Sequence, residues 1–323
     1  MKKMLVCGAG GFIGTHLVTS LKQQGHYVIG ADLKNPEYSS TDADEFYLYD
    51  LRDPRLVAEL ITPDIDTVYQ LAADMGGAGY IFTGDNDADI MHNSAMINLN
   101  VTHEMVKKGV KNVFYSSSAC MYPAYNQEDP LNPLLSEESA YPAAPDSEYG
   151  WEKLFSERVF MAFARNYGLN ARIARFHNIF GPLGSWNNGK EKAPAALCRK
   201  VAMCEDKGVI EIWGPGTQTR SFLFIEECIE GIHRIMASDC TFPLNLGSER
   251  MISINDLAFL IAKLTGKSVS IRNVPGPVGV MGRNSHNKLI KETIGWSPDE
   301  NLEYGIEKTY AWISEQVKNN AKG

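Results

Sequence analysis

The sequence predicts an α/β protein with a Rossmann-like, doubly wound parallel sheet and a smaller C-terminal lobe. Two observations support this fold class. Short runs rich in β-branched and aromatic residues alternate with stretches of helical periodicity, and the first run ends in a glycine-rich turn. Parallel strands need right-handed crossovers of this length, so we expect helices on both faces of the sheet.

The individual elements follow from the same patterns. Strands are predicted over residues 4–9, 27–32, 45–50, 67–73, 112–118 and 170–176. The intervening stretches with helical periodicity cover residues 12–24, 85–107 and 148–167. Strands and helices therefore alternate from the first residues to about residue 176.

The pattern loosens after Gly181 and Pro182 into loops rich in Gly, Pro and Asn. Shorter elements follow at residues 209–213 and 257–264. We therefore expect a Rossmann domain over residues 1–180 and a mainly substrate-binding lobe over residues 181–323. Parts of 221–250 should rejoin the first domain, because residues 221–236 have the pattern of a strand followed by a helix.

Composition excludes several classes of function. With 44% hydrophobic and 22% charged residues, the chain is typical of a globular protein, and its net charge of -8 argues against nucleic-acid binding. No apolar stretch approaches the roughly 18 residues of a membrane span. The six cysteines lack the spacing of a zinc site or a disulfide framework, so we expect reduced thiols in a cytoplasmic protein. They are Cys7, Cys120, Cys198, Cys204, Cys228 and Cys240.

The first predicted strand ends in a Gly-x-x-Gly-x-x-Gly turn formed by Gly8, Gly11 and Gly14. Such a turn brings the backbone and a helix N-terminus close to a pyrophosphate. Asp32 ends the second strand, where a carboxylate accepts hydrogen bonds from ribose hydroxyls and repels a 2′-phosphate, so NAD is the expected cofactor. Asp50 ends the third strand and either meets the adenine or caps the next helix.

Tyr149 and Lys153 lie four residues apart on a predicted helix, so they share one face. Ser118 ends the strand before this helix, where a hydroxyl can bind a reacting oxygen. To act as a base near neutral pH, the pKa of Tyr149 would have to fall by about 3 from its usual value near 10. A neighbouring ammonium and an oxidised nicotinamide are cations that favour this fall.

These motifs resemble the extended short-chain dehydrogenases/reductases, a family of NAD-dependent epimerases and dehydratases. The resemblance covers almost the whole chain and includes Arg175-x-x-Asn178 and the Gly-Trp-Ser-Pro string at 295–298. It implies a sugar-nucleotide substrate, bound NAD and a homodimer. Less common strings resemble the members that epimerise C3 and C5 of a GDP-linked sugar; they lie at 73–77, 117–123, 175–178, 191–196 and 282–285.

The resemblance also implies roles for individual residues. Cys120 would remove a carbon-bound proton and Lys192 would return one from the opposite face, beside Tyr149, Lys153 and Ser118. Without the resemblance, Cys120 is more often a core residue and Lys192 a solvated residue at a helix start. The implied cofactor contacts are Gly8, Gly11, Phe12, Ile13, Gly14, Asp32, Asp50, Leu71, Ala72, Tyr149 and Lys153.

The implied substrate contacts lie mostly in the second half of the chain. They are Gly77, Ser118, Ala119, Cys120, Asn178, Glu191, Lys192, Ala193, Lys200, Gln218, Arg220 and Arg283. From its own surroundings in the sequence, Arg220 would be interpreted as an ordinary surface residue. His177 is interpreted as structural, and no metal-ligand spacing surrounds it.

Two alternatives stay open. The first is a different sugar-nucleotide enzyme on this scaffold, a 4-epimerase or a 4,6-dehydratase. A dehydratase normally carries Asp and Glu where this chain has Cys120 and Met121. The second is a non-catalytic dinucleotide sensor, against which the complete set of Ser118, Tyr149 and Lys153 argues.

Overall fold

A computed structural model describes residues 1–133, 135–299 and 301–320. Within these residues, seven strands form a fully parallel sheet in the order β11-β6-β5-β4-β1-β2-β3. The strands are β1 (Lys3–Cys7), β2 (Tyr27–Asp32), β3 (Glu45–Leu48), β4 (Thr67–Gln70), β5 (Asn112–Ser118), β6 (Asn170–Phe176) and β11 (Leu244–Leu246). The chain reverses its direction of winding between β1 and β4, so the predicted doubly wound fold is confirmed.

Three strands coincide with their predicted bounds, and three end earlier than predicted. Gly8 ends β1 because its φ of +84° breaks the extended conformation. β4 stops at Gln70, its last residue paired with β1 and β5, and β3 stops at Leu48, which pairs with the last residue of β2. Pairing with neighbouring strands therefore sets the ends of β3 and β4.

Helices cover both faces of the sheet. They are α1 (Phe12–Gln23), α2 (Pro54–Leu60), α3 (Ala78–Ile81), α4 (Asp87–Lys108) and α5 (Glu148–Tyr167), followed by α7 (Ile225–Ala237) beyond residue 180. On one face α1 packs against α7. On the other, α4 packs against α5, and Tyr115 of β5 stacks on Phe160 of α5 with ring centroids 4.5 Å apart. Both apolar faces of the sheet are thereby buried.

α4 begins two residues later than predicted because a separate short helix and a turn precede it. Gly84, with φ of +84°, lies in that turn. α5 matches its prediction: the Ser147 hydroxyl accepts a hydrogen bond from Gly150 N at its start, and Gly168 ends it in a left-handed conformation. Ser and Gly at these positions are the usual signals for the two ends of a helix.

The remaining elements form small sheets and helices beside the carboxyl end of the large sheet. β7 (Ile179–Phe180) pairs with β10 (Leu223–Phe224), β8 (Gly208–Trp213) pairs with β13 (Val269–Val274), and β9 (Thr219–Ser221) lies between β12 (Met251–Ser253) and β14 (Gly282–Arg283). The helices here are α6 (Ala193–Met203), α8 (Ile254–Leu264), α9 (Lys288–Ile294) and α10 (Leu302–Asn320).

The expected boundary at residue 180 stays a prediction, and residues 300 and 321–323 of the expected second lobe lie outside the described residues. β10 forms a two-stranded sheet with β7, whereas β11 and α7 join the large sheet and its helical layer. Among the residues that the structure covers, no helix is both long enough and apolar enough to cross a membrane.

Candidate active site

A cavity of about 840 Å³ opens at the carboxyl ends of the strands of the large sheet and extends toward the small sheets. In a doubly wound fold, ligands bind at this edge, where the winding direction changes. Every residue that the sequence analysis assigned to catalysis, cofactor binding or substrate binding lines this cavity. Residues separated by more than 270 positions in the chain, such as Gly8 and Arg283, therefore face one space.

The glycine turn has the geometry that a dinucleotide requires. A Cβ atom on Gly14 would lie 2.0 Å from the Gly8 carbonyl oxygen, and one on Gly8 would lie 2.8 Å from the Ala72 nitrogen. Helix α1 begins within this turn at Phe12, and its N-cap residue is Gly11, which has no side chain that could cap the helix. Backbone N–H groups at this helix start are suited to a pyrophosphate. The turn therefore fits NAD.

The two predicted carboxylates of the cofactor region have different surroundings. Asp32 accepts hydrogen bonds from Gly10 N at 3.0 Å and Lys34 N at 3.3 Å, and burial raises the pKa of its carboxyl. The Lys34 ammonium is paired with Glu37 at 3.1 Å. Asp50 is instead held by Arg52, with nitrogen–oxygen distances of 2.7 to 3.1 Å. The helix-capping alternative for Asp50 is wrong, since Asp53 caps α2.

Tyr149 and Lys153 lie on the first turns of α5 and are both buried. Lys153 Nζ donates to the Ser116 carbonyl oxygen at 2.8 Å and lies 5.7 Å from the Tyr149 ring centroid. Ser118 accepts a hydrogen bond from Cys120 N at 3.2 Å, which fixes its hydroxyl at the end of β5. The strand end and the helix start thus bring the three polar groups to one part of the cavity.

The pKa of Tyr149 differs from the sequence expectation. Burial raises it, and the negative charge that Cys120 can carry acts in the same direction, while a hydrogen bond with Ser118 lowers it. Burial also lowers the pKa of Lys153. The protein groups alone therefore do not supply the fall that a tyrosinate base needs, since Lys153 is directed to a backbone carbonyl.

Cys120 is partly buried in the short turn after β5 and meets a guanidinium. Arg283 Nη1 donates to Cys120 Sγ at 3.0 Å, while its other nitrogens donate to Gln127 Oε1 at 2.6 Å and Asp146 Oδ2 at 3.1 Å. Burial lowers the pKa of Arg283, but Cys120 and Asp146 outweigh burial and keep it above its usual value. This arrangement suits a reactive thiolate.

Lys192 is the N-cap residue of α6, and its side chain is partly buried. Among the described residues, its ammonium group forms no hydrogen bond or ion pair. Burial lowers its pKa, and Cys120 is the main neighbour that opposes this effect. A lysine whose pKa lies below its usual value near 10.5 is better matched to proton transfer near neutral pH.

Three polar residues of the predicted substrate region are tied to the backbone. Asn178 has a positive φ of 47° and donates to the Ser221 carbonyl at 3.0 Å. Lys200 Nζ donates to the Glu211 carbonyl at 2.6 Å. The Gln218 side chain donates to the Trp213 carbonyl at 3.3 Å, while its buried Oε1 atom has no partner among the described residues.

Arg220 is a partly buried wall of the cavity and not the ordinary surface residue that its sequence surroundings indicated. Its guanidinium donates to the backbone carbonyls of Thr219, Val278 and Val280, at 2.7 to 3.1 Å. Burial, and then the nearby Arg283, lower its pKa. A buried cation with neutral partners is a favourable place for an anionic ligand group.

The segment before α6 is packed against the loop that contains Gly77. Glu191 accepts hydrogen bonds from Arg199 at 2.8 Å and from Gly189 N at 2.6 Å. A Cβ atom on Gly77 would lie 2.5 Å from the Glu191 carbonyl oxygen, so the two segments touch through their backbones. Ala193 is the first residue of α6 and Pro194 is the second.

Sequence reasoning missed the residues that hold the reactive groups in place. Gln127 and Asp146 fix Arg283, and Gly150 allows α5 to pack on the Cys120 turn, since a Cβ there would lie 2.1 Å from the Cys120 carbonyl oxygen. Only the glycine beside Tyr149 was a usable signal. His177 is fully buried with Nε2 2.9 Å from Asn245 Oδ1, which agrees with a structural role.

The sequence and the fold both resemble those of known enzymes. Residues 4–247 match the model of the NAD dependent epimerase/dehydratase family. The chain is 46% identical to the GDP-mannose 3,5-epimerase of Arabidopsis thaliana over 99% of its own length and 85% of that protein. It is 45% identical to GDP-mannose 3,5-epimerase 1 of Oryza sativa subsp. indica, over 98% and 82%. The chain therefore belongs to the NAD-dependent epimerase/dehydratase family.

The resemblance extends to the fold of this family. The UDP-glucose 4-epimerase of Thermotoga maritima, solved with UDP-glucose, superposes with a TM-score of 0.84. It is 24% identical and covers 98% of this chain and 99% of its own, so it supports the fold alone. The chain is an NAD-dependent epimerase, as the sequence indicated, and the alternative of a non-catalytic sensor is not supported.

Proposed function

We propose that this enzyme converts GDP-mannose into GDP-L-galactose and GDP-L-gulose by inverting C5 and C3 of the sugar. The observation that carries the proposal is that Cys120 and Lys192 line the same cavity as Tyr149 and Lys153. Inversion at C4 alone moves a hydride and the hydroxyl proton at that carbon, and it requires no acid or base for the hydrogens at C3 and C5. A thiol and an ammonium at the same site suit a reaction that also moves protons on carbon. Two relatives bearing the name GDP-mannose 3,5-epimerase support the substrate.

The reaction has to begin with oxidation at C4, because a carbon that bears only a hydroxyl holds its proton too tightly for any side chain. Tyr149 takes the proton of the C4 hydroxyl, while Ser118 binds the same oxygen. Bound NAD supplies the hydride acceptor for this step and the hydride donor for its reversal, together with a positive charge that favours the tyrosinate. Lys153, directed by the Ser116 carbonyl, adds a second positive charge nearby.

Oxidation at C4 makes the hydrogens at C3 and C5 acidic, since each carbon then adjoins a carbonyl. Cys120 removes one of these protons as a thiolate beside the Arg283 guanidinium. Lys192 returns a proton to the opposite face, which inverts the carbon. Its partly buried ammonium forms no hydrogen bond or ion pair with any other described residue, and its lowered pKa suits an acid at neutral pH. Reduction at C4 then completes the turnover.

The nucleotide end of the substrate needs cationic partners for its diphosphate. Among the described residues, Arg220 donates hydrogen bonds only to carbonyls, so a phosphate oxygen would give it a counter-ion. Gln218 keeps a buried oxygen free to accept a hydrogen bond from the nucleotide. Asn178, Lys200 and the Gly77 loop complete this part of the proposed site.

The enzyme is proposed to act as a homodimer in the cytoplasm. Large apolar side chains are exposed along the outer face of α4 and α5: Leu99 is 38%, Trp151 40% and Phe155 45% exposed. An exposed apolar patch on a pair of long helices favours association, and a second copy of the chain would cover this face. The six free cysteines are consistent with a reducing compartment.

Solvent exchange tests the reaction directly. GDP-mannose turned over in deuterated water should acquire deuterium at C3 and C5, because side chains that exchange with solvent reprotonate these carbons. C4 should keep its own hydrogen. A 4-epimerase would invert C4 without labelling C3 or C5, and a 4,6-dehydratase would label C6. Absence of label at C3 and C5, with substrate shown to bind, would rule out the proposal.

A further inference from the structure

We propose that Tyr80 is a positioning residue that sets the location of the Lys192 ammonium by holding residues 189–192 against helix α3. We call residues 189–192 the acid segment. The inference rests on the proposed role of Lys192 as the proton donor, and it adds a residue that the motifs did not indicate. Tyr80 itself is not among the residues that line the cavity.

The Lys192 side chain needs support from its backbone. As the N-cap residue of α6, Lys192 has an extended backbone with φ of -83° and ψ of 163°, and its carbonyl accepts the first hydrogen bond of the helix, from Ala196 N at 3.0 Å. None of the described side chains or carbonyls forms a hydrogen bond or ion pair with its ammonium. The position of the ammonium therefore depends on the start of α6 and on the path of the acid segment that leads to it.

Helix α3 contacts the acid segment at two points. The Lys190 Nζ atom lies 4.0 Å from the centroid of the Tyr80 ring, within the range of a cation–π contact. At the N-cap of α3, the backbone of Gly77 touches that of Glu191, where any side chain on Gly77 would clash. These contacts hold the two residues that directly precede Lys192.

A hydrogen-bond network fixes the Tyr80 ring. Its hydroxyl donates to Asp74 Oδ1 at 2.9 Å, and Asn93 Nδ2 donates to Asp74 Oδ2 at 2.8 Å. Arg52 Nη1 donates to Asn93 Oδ1 at 2.9 Å, and Asn86 Nδ2 donates to the Tyr80 carbonyl at 3.2 Å. Donation to a carboxylate also makes the ring face more attractive to the Lys190 cation.

Loss of this support should slow the return of a proton by Lys192 and leave proton removal by Tyr149 and Cys120 unchanged. Cys120 lies in the turn after β5, and Tyr149 and Lys153 lie on α5, so none of the three belongs to the acid segment. With Lys192 displaced, the intermediate would recover its proton from the Cys120 side, so the sugar would exchange its hydrogen without inversion. The ratio of inverted product to deuterium-labelled, uninverted substrate measures this directly.

The experiment uses full-length enzyme, GDP-mannose and deuterated water. Tyr80→Leu and Lys190→Met should each lower that ratio about two- to fivefold, with KM changed by less than about twofold. Lys190→Arg keeps a cation over the ring and should retain the ratio. The ratio in the double variant Tyr80→Leu/Lys190→Met should be no lower than in either single variant, because both substitutions remove the same contact.

A matched control exists on α10, where Lys308 Nζ lies 5.3 Å from the Tyr304 ring centroid, away from the residues that line the cavity. Lys308→Met should leave the ratio unchanged. An unchanged ratio in Lys190→Met, or equal losses of inversion and exchange, would overturn the positioning role while leaving the proposed function intact. Retained inversion in Lys192→Met would overturn both. Lys190 is exposed, so its variants test the proposal even if Tyr80→Leu fails to fold.

Discussion

Arg283 Nη1 lies 3.0 Å from Cys120 Sγ, although 163 positions separate the two residues in the chain. Arg283 is the last residue of β14, which pairs with β9, and its other nitrogens donate to Gln127 and Asp146. A buried cation in this position stabilises negative charge on the sulfur. The small sheets thus complete a reactive group that the large sheet begins.

Removal of this cation should make Cys120 less reactive. We expect Arg283→Met to slow alkylation of Cys120 by iodoacetamide about tenfold at neutral pH, a change of about 1.4 kcal/mol. Mass spectrometry of digested protein would measure the rate at Cys120 separately from the other thiols. Arg234→Met is the control, because its guanidinium pairs with Glu230 at an exposed position and is not among the residues that line the cavity. Equal rates in Arg283→Met and the native enzyme would contradict the assignment.

The large sheet could be predicted from sequence because its signals are local. Alternation of strand and helix patterns gave β2, β5, β6 and α5 with their observed bounds. Errors occurred at strand ends, where pairing with a neighbour decides the last residue. Asp50 shows the same limit: a short carboxylate before a helix resembles a cap, but Arg52 two residues later pairs with it and Asp53 takes the capping position.

The site was predictable only in part. The glycine turn, Asp32, Tyr149 and Lys153 follow local spacing rules, whereas Cys120, Lys192 and Arg283 came from family resemblance. The groups that orient them could not be found in this way. Asp146 and Gln127 acquire their role only when β14 brings Arg283 to them, and that contact depends on tertiary packing.

The buried pair Arg175–Glu157 should be important for stability. Both side chains are less than 5% exposed and are joined by two hydrogen bonds of 2.9 Å. Arg175→Met leaves a buried carboxylate without its cation and should lower the free energy of unfolding by about 3–5 kcal/mol. Urea denaturation measures this. Arg234→Met breaks the exposed pair with Glu230 and should cost less than about 0.5 kcal/mol; similar costs for the two variants would contradict the prediction.

His177 should make the protein less stable as the pH falls. Burial, opposed by a hydrogen bond with Asn245, lowers its pKa from 6.5 to about 3. The unfolded chain therefore binds a proton first, and the stability present above pH 6.5 is lost as the pH falls toward 3. Between pH 7 and pH 5, the free energy of unfolding measured by urea denaturation should fall by about 2 kcal/mol less in His177→Gln than in the native protein. His103→Gln, at an exposed position, should show the native pH dependence; equal slopes for His177→Gln would contradict the prediction.

Tyr149 and Cys120 should fail at different stages of the reaction, because one serves oxidation at C4 and the other serves proton removal from carbon. Tyr149→Phe lacks the hydroxyl that accepts the C4 proton, so no reduced nicotinamide should appear when GDP-mannose is added. Cys120→Ala keeps Tyr149 and Lys153, so reduced nicotinamide should form while epimerisation falls by about 10²–10⁴-fold. Absorbance of the reduced cofactor and NMR of the recovered sugar separate these stages. Cys204→Ala removes a partly buried thiol that does not line the cavity and should behave as the native enzyme. Full epimerase activity in Cys120→Ala would instead make Cys120 an ordinary packing residue, and the base at carbon would have to be another side chain.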